Sequence, residues 1–223
     1  MMNGVRGRSG SQEPPAHRPR GERVTVADAT PLIALTRIHR LELLRELYER
    51  VLIGSDVKAE TIDAGGATRS LGVEQLEAAV DAGWLAVASA TDPENDLAQR
   101  LSRRSRLHPS EAESVALAHV RELPLVADDK EARSVAKTLG VPLIGTACVV
   151  LQAYLRRSFG LDSLEKALRD LGETLWLSPS VVAEIQRGSE GLSSIFWRSL
   201  ATCMSTVRVR GCMASWSHTP SRS

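Results

Sequence analysis

Short apolar runs alternate with longer stretches of helical period from residue 24 to residue 187. Val24 to Ala27 is apolar and β-branched enough for a buried parallel strand. Pro31 to Leu47 follows with Leu32, Leu35, Ile38, Leu41, Leu44 and Leu47 on one helical face, and His39-Arg40 marks a break between two shorter helices. Thr30 fits a cap before Pro31 in the first helical position. Val51-Leu52-Ile53 predicts a second strand, closed by Gly54. Ser55 then caps a helix through Val57 and Ile62 that ends at Gly65-Gly66. Val73, Leu76, Ala79 and Val80 predict a further helix, stopped by Gly83, and Trp84 to Ala88 a strand. A polar helix is expected near Asp96 to Arg104, and Ser110 opens the next, S-E-A-E-S-V-A-L-A-H-V.

Leu125-Val126-Ala127 predicts a strand ending in Asp128-Asp129. Lys130 to Leu139 predicts a helix with Gly140 as its C′ residue. Val141 to Ile144 predicts the last strand, and Gly145-Thr146 starts a helix from Ala147 to Arg157. Asp162 with Glu165 resembles a capping box for Leu164 to Leu171, and Ser178-Pro179 begins a short helix to about Arg187. Strands thus alternate with helices, which implies a parallel sheet covered on both faces. Residues 1–22 hold Gly, Pro, Ser and Arg with almost no apolar groups, so disorder is expected. From Gly188 to Ser223 no period is sustained, and an irregular, disordered tail is expected. One folded domain over 23–187 between two tails follows.

Charge sharpens this division. The net charge of the 223-residue chain is only +1, yet residues 1–22 carry +2, residues 188–223 carry +3, and the middle carries −4. The average charge of the core gives no basic footprint for nucleic acid, although a local patch can. Cys148, Cys203 and Cys212 are too few and scattered for a disulfide framework or a zinc site, and Cys148 in its apolar run reads as a buried free thiol. The N-terminus lacks the apolar core of a secretory signal, and Val141 to Leu155 falls short of a membrane span. A cytoplasmic protein without a membrane partner is the expectation.

Five carboxylates fall near predicted strand or helix ends on one side: Asp28, Glu60, Glu113, Asp128 and Asp129. In an open α/β sheet, ligands bind at the carboxyl ends of the strands. Hard cations such as Mg2+ or Mn2+ take oxygen ligands, and such ions activate water and stabilise the leaving oxygen of a phosphodiester. Plainer roles exist beside these. Ser110 and Glu113 fit an S-x-x-E capping box. Glu111 suits the first helical turn through the helix dipole. One acid of Asp128-Asp129 fits the N-cap of the Lys130 helix, Glu60 fits a solvated helix face, and Thr146 fits a cap. Lys130 and Arg133 offer phosphate contacts or a solvated face, and His108 and His119 lack metal-ligand spacing.

V-A-D-A-T-P-L-I-A-L, V-L-I-G-S-D-V-K-A-E, H-P-S-E-A-E-S-V-A-L-A and L-V-A-D-D-K-E-A-R resemble the successive motifs of PIN-domain proteins. V-P-L-I-G-T resembles the PIN-like group related to VapC-type toxins. The resemblance covers about Val24 to Arg187. It implies a three-layer α/β/α sandwich with a central, mostly parallel sheet. It implies a metal-dependent ribonuclease with Mg2+ or Mn2+. By the motifs, Asp28, Glu113 and Asp129 would be catalytic, and Glu60 and Asp128 would join them around the metal. The implied partners are an RNA substrate and, for a toxin, an antitoxin protein; a homodimer stays open. Two positions depart from the pattern: Ser110 stands for a usual Gly before the Glu-Ala-Glu triplet, and Gly54 for a usual Pro after the second strand. A non-catalytic PIN-like module that binds RNA or a partner protein is the alternative function.

Overall fold

The computed structural model describes residues 23–64 and 72–175. Expectations for the N-terminal tail, Gly65-Gly66, the Ser178 helix and residues 188–223 lie outside that range. Five strands, β1 (Val24–Ala27), β2 (Arg50–Ile53), β3 (Leu85–Val87), β4 (Leu125–Val126) and β5 (Leu143–Ile144), form one sheet in the order β3-β2-β1-β4-β5. Every pairing is parallel, with Val26 opposite both Leu52 and Leu125. The fold is therefore the expected PIN-like α/β/α sandwich. Strand order reverses direction between β1 and β4, so their carboxyl ends bound the crevice where a ligand would lie.

Nine helices are described: α1 (Ala29–Arg37), α2 (Glu42–Leu47), α3 (Ser55–Lys58), α4 (Val73–Asp81), α5 (Asp92–Arg104), α6 (Pro109–Val120), α7 (Lys130–Thr138), α8 (Thr146–Leu155) and α9 (Leu161–Thr174). One apolar cluster joins Leu32, Leu35, Leu44, Val57, Leu76, Val150 and Leu171 to one sheet face. Another joins Leu107, Ala112, Val115, Ala118, Ala132 and Ala136 to the other. Strand residues Val26, Val51, Ile53, Leu85 and Leu125 are fully buried, as the apolar runs require of a sheet covered on both faces. The break at His39 is real: it takes a left-handed φ of 54° between α1 and α2. Gly140 does so at 74° after α7, as expected for its C′ place.

Helix starts depart from the sequence reading. Asp28, not Thr30, is the N-cap residue of α1. α3 runs into a π-helical turn, Ala59–Asp63, that carries Glu60. α9 starts after Gly160, so Asp162 lies inside its first turn instead of capping it. Cys148 is half-buried and disulfide-bonded, against the expected free thiol. Among the described residues no helix is long and apolar enough to cross a membrane.

α5 starts earlier than expected because Thr91 and Glu94 form a capping box in front of Asp92-Pro93. Glu94 then turns inward, 2% exposed, to meet Arg121 just past the end of α6. Arg121 Nε donates to Glu94 Oε1 at 2.7 Å, and Nη2 donates to the Ser89 carbonyl at 2.9 Å. Burial alone pushes the Glu94 carboxyl up, but the Arg121 and Thr91 hydrogen bonds outweigh it and hold it below its usual range. Removing the arginine strands a buried charge. Arg121→Ala is therefore expected to cost about 3–5 kcal/mol, read as a lower denaturation midpoint with an unchanged slope.

Candidate functional site

Asp28 leaves the end of β1 fully inside the protein, 1% exposed. Its Oδ1 accepts a 3.2 Å hydrogen bond from the Ser114 hydroxyl on α6. Burial lifts its carboxyl to about 6, and the neighbouring charges of Glu111 and Glu60 add to the lift. The Ala29 N–H and the Ser114 hydroxyl oppose it without cancelling it. An acid so placed is costly when ionised unless a cation joins it.

Glu111 is the neighbour that the sequence reading assigned to structure alone. His108, not Ser110, is the N-cap of α6, and the His108 N–H donates to Glu111 Oε2 at 2.8 Å. The capping box of this helix is therefore His108/Glu111, in place of the expected Ser110/Glu113. Burial raises the Glu111 carboxyl, and the charges of Asp129 and Glu60 raise it further. Glu60, on the π turn, is exposed, and its Oε2 accepts a 2.9 Å hydrogen bond from the buried Ser110 hydroxyl. His108 Nδ1 lies 2.9 Å from that hydroxyl and 4.0 Å from Glu60 Oε2. Asp129 caps α7, its Oδ1 accepting from the Glu131 and Ala132 N–H groups at 2.7 and 2.8 Å. Its other oxygen has no hydrogen bond among the described residues.

Glu111 and Glu60 thus add to the cost of ionising Asp28, and Asp129 and Glu60 to that of ionising Glu111. Among the described residues none of the four has a Lys or Arg within ion-pair distance.

The other two predicted acids face different partners. Glu113 is 9% exposed and reaches across to the start of α3. Its Oε1 accepts from the Ser55 N–H at 2.9 Å and the Ser55 hydroxyl at 2.7 Å, and its Oε2 accepts from the Asp56 N–H at 2.8 Å. It caps α3 from another helix, because Gly54 at the N-cap has no side chain to do so. A Cβ at Gly54 would sit 2.1 Å from Glu113 Oε2, so the departure from Pro makes room for that carboxylate. Asp128 accepts from the Thr146 N–H at 3.0 Å and from the Thr146 hydroxyl, tying β4 to the start of α8. Arg133 Nη1 donates to the Ala127 carbonyl at 2.8 Å, which occupies one of the two cations considered for phosphate contact.

The donor chemistry fits a hard divalent cation: carboxylate oxygens, with no Lys or Arg among the described residues paired to them and His108 beside Glu60 as the nearest basic group. The oxygens are not drawn into one coordination sphere. Among the described residues no group of three or more His, Cys, Asp or Glu is gathered as a metal site.

Sequence spacing could have identified Glu111, since it lies two residues before Glu113 and Glu-Ala-Glu offers both. It could not reveal which glutamate turns toward Asp28. A family model described as a PIN domain matches residues 24–190 of the chain. No curated protein matches it.

Proposed function

Because the chain belongs to the PIN-domain family, a nuclease fold, we propose that it is a Mg2+- or Mn2+-dependent endoribonuclease. The observation that carries this reading is Asp28, buried at the carboxyl end of β1 and lifted to about 6 by burial, with the charges of Glu111 and Glu60 adding to the lift. Asp28, Glu111 and Asp129 would hold the ion, with Glu60 at the rim. Bound there, the cation would supply positive charge to a phosphodiester and its leaving oxygen. The chain's own part is positional. The Ser114 hydroxyl fixes one oxygen of Asp28, the α6 cap fixes one of Glu111, and the α7 cap fixes one of Asp129. A role as the toxin of a toxin–antitoxin pair rests on the V-P-L-I-G-T resemblance. An antitoxin would then be its protein partner.

The test is cleavage of a mixed RNA pool by the full chain with Mn2+, with EDTA, and with Glu111→Gln. Glutamine preserves the capping hydrogen bond to His108 and removes only the charge. Loss of about 100-fold or more in rate with folding intact is the expected result, on the scale of single catalytic groups. Wild-type levels of cleavage in Glu111→Gln would remove this glutamate from the site. A second reading, a PIN-like module without catalysis, draws on the engagement of Glu113 and Asp128 in structural hydrogen bonds. Absence of cleavage by folded wild-type protein in Mn2+ would favour it.

A further inference from the structure

The predicted domain is acidic on average, yet its charge is not evenly spread. From Leu97 to His108 the chain reads L-A-Q-R-L-S-R-R-S-R-L-H, with four arginines and no acid. Arg100, Arg103 and Arg104 lie three and four residues apart on the last turns of α5, so they share a helix face. Arg106 follows in the connector that leads through His108 into α6. All four are exposed. None forms a side-chain hydrogen bond or ion pair among the described residues.

The position of this stripe matters as much as its charge. α5 and α6 pack closely together, and only residues 105–108 separate them. The basic end of α5 is therefore held beside the first turn of α6, which carries Glu111. His108, the last residue of the stretch, lies beside Glu60. Complementing the helix dipole accounts for Arg103 and Arg104 in the last turn of α5. It does not account for Arg100, a turn earlier, or for Arg106, beyond the helix.

We infer that Arg100, Arg103, Arg104 and Arg106 form a track for the phosphate backbone of RNA, leading it to the acidic crevice at the start of α6. The inference rests on the nuclease reading for the class of partner. An acidic crevice repels the phosphates it must act on, and a cation neutralises charge only at the reacting group. The flanking phosphates need separate counter-charges, and this stripe supplies them at the crevice edge. Four guanidinium groups along one backbone act chiefly through counterion release, so they contribute affinity without sequence preference.

The experiment is fluorescence anisotropy with a labelled single-stranded RNA of mixed sequence, the full chain, EDTA to suppress cleavage, and a salt series. Arg100, Arg103 and Arg106 are changed together to Gln, conserving helix propensity. As a control, Arg45, Arg157 and Arg169 on the opposite helical layer are changed together to Gln. The track variant is expected to bind about tenfold or more weakly and to lose about 2 from its log–log salt slope, at roughly 0.7 per contact. The control should keep wild-type affinity and slope. Equal loss in both variants, no loss in the first, or no RNA binding by wild-type protein would overturn the proposal.

Cleavage in Mn2+ separates this from the nuclease reading. If wild type binds through the track but never cuts, the nuclease reading fails and the track stands. If wild type cuts and the track variant shows unchanged KM, the track fails and the nuclease stands. A raised KM with unchanged kcat is the expected outcome.

Discussion

Asp28→Asn is expected to melt several degrees above wild type at neutral pH while losing metal-dependent cleavage. The folded protein holds the Asp28 carboxyl at about 6, against 3.8 for a free aspartate. The folded state thus binds this proton more tightly than the unfolded chain does. Its contribution to stability is fully present below about pH 4 and is lost as the pH rises through 6. A shift of that size corresponds to about 3 kcal/mol of stability forfeited at neutral pH. Asparagine has no charge to desolvate, and its side-chain oxygen still accepts from the Ser114 hydroxyl. Melting temperatures of the two proteins should therefore coincide below about pH 4, draw apart between about pH 4 and 6, and keep a constant gap above. On the usual scaling for a domain of this size, the gap is about 6–12 °C. Mn2+ should raise the melting temperature of wild type and not of the variant, since only the ionised site binds a cation differentially. A variant that melts lower than wild type at pH 7.5 would mean that Asp28 is held by favourable contacts and not by unrelieved burial.

The strands and their order of appearance were legible because each is a short apolar run with a turn signal on both sides. Val24–Ala27 and Arg50–Ile53 sit where the runs placed them, and Asp28 stands at a strand end by sequence arithmetic alone. The partners of the acids were not legible. Ser110-Glu-Ala-Glu113 places two glutamates two residues apart, so they leave a helix roughly 200° apart and cannot share a partner. One caps its own helix and adds its charge to that of Asp28, and the other caps α3 more than fifty residues away in sequence. Only the packing of α6 between α3 and β1 decides which is which. The S-x-x-E pattern at Ser110 was a false signal. Pro109 favours the first helical position, which moves the cap back to His108 and the capping role to Glu111. Gly54 is a related case: read as a departure from a usual Pro, it leaves a space that the Glu113 carboxylate fills, a contact no local pattern could show.

Glu113→Ala is expected to shift stability in the opposite direction from Asp28→Asn. The Glu113 carboxylate accepts three hydrogen bonds at the start of α3. Hydrogen bonds to a charged acceptor contribute about 1.5–3 kcal/mol each, and less when they share one group. Water can reach the exposed Ser55 and Asp56 once the carboxylate is gone, so a loss of roughly 3 kcal/mol is expected for the set. Were Glu113 instead an unbalanced site acid like Asp28, neutralising it would relieve repulsion and raise the melting temperature. The sign of the change therefore decides between cap and site acid without any activity assay. Gly54 supplies the second arm of the test. Its φ of −76° suits any residue, so Gly54→Ala should be harmful only because its methyl group displaces Glu113. In a Glu113→Ala background that methyl group has nothing to displace. The two substitutions should then cost less together than the sum of their separate costs, by about 1–3 kcal/mol. Strict additivity would mean that the glycine and the carboxylate do not meet, and the cap on α3 would have to come from elsewhere.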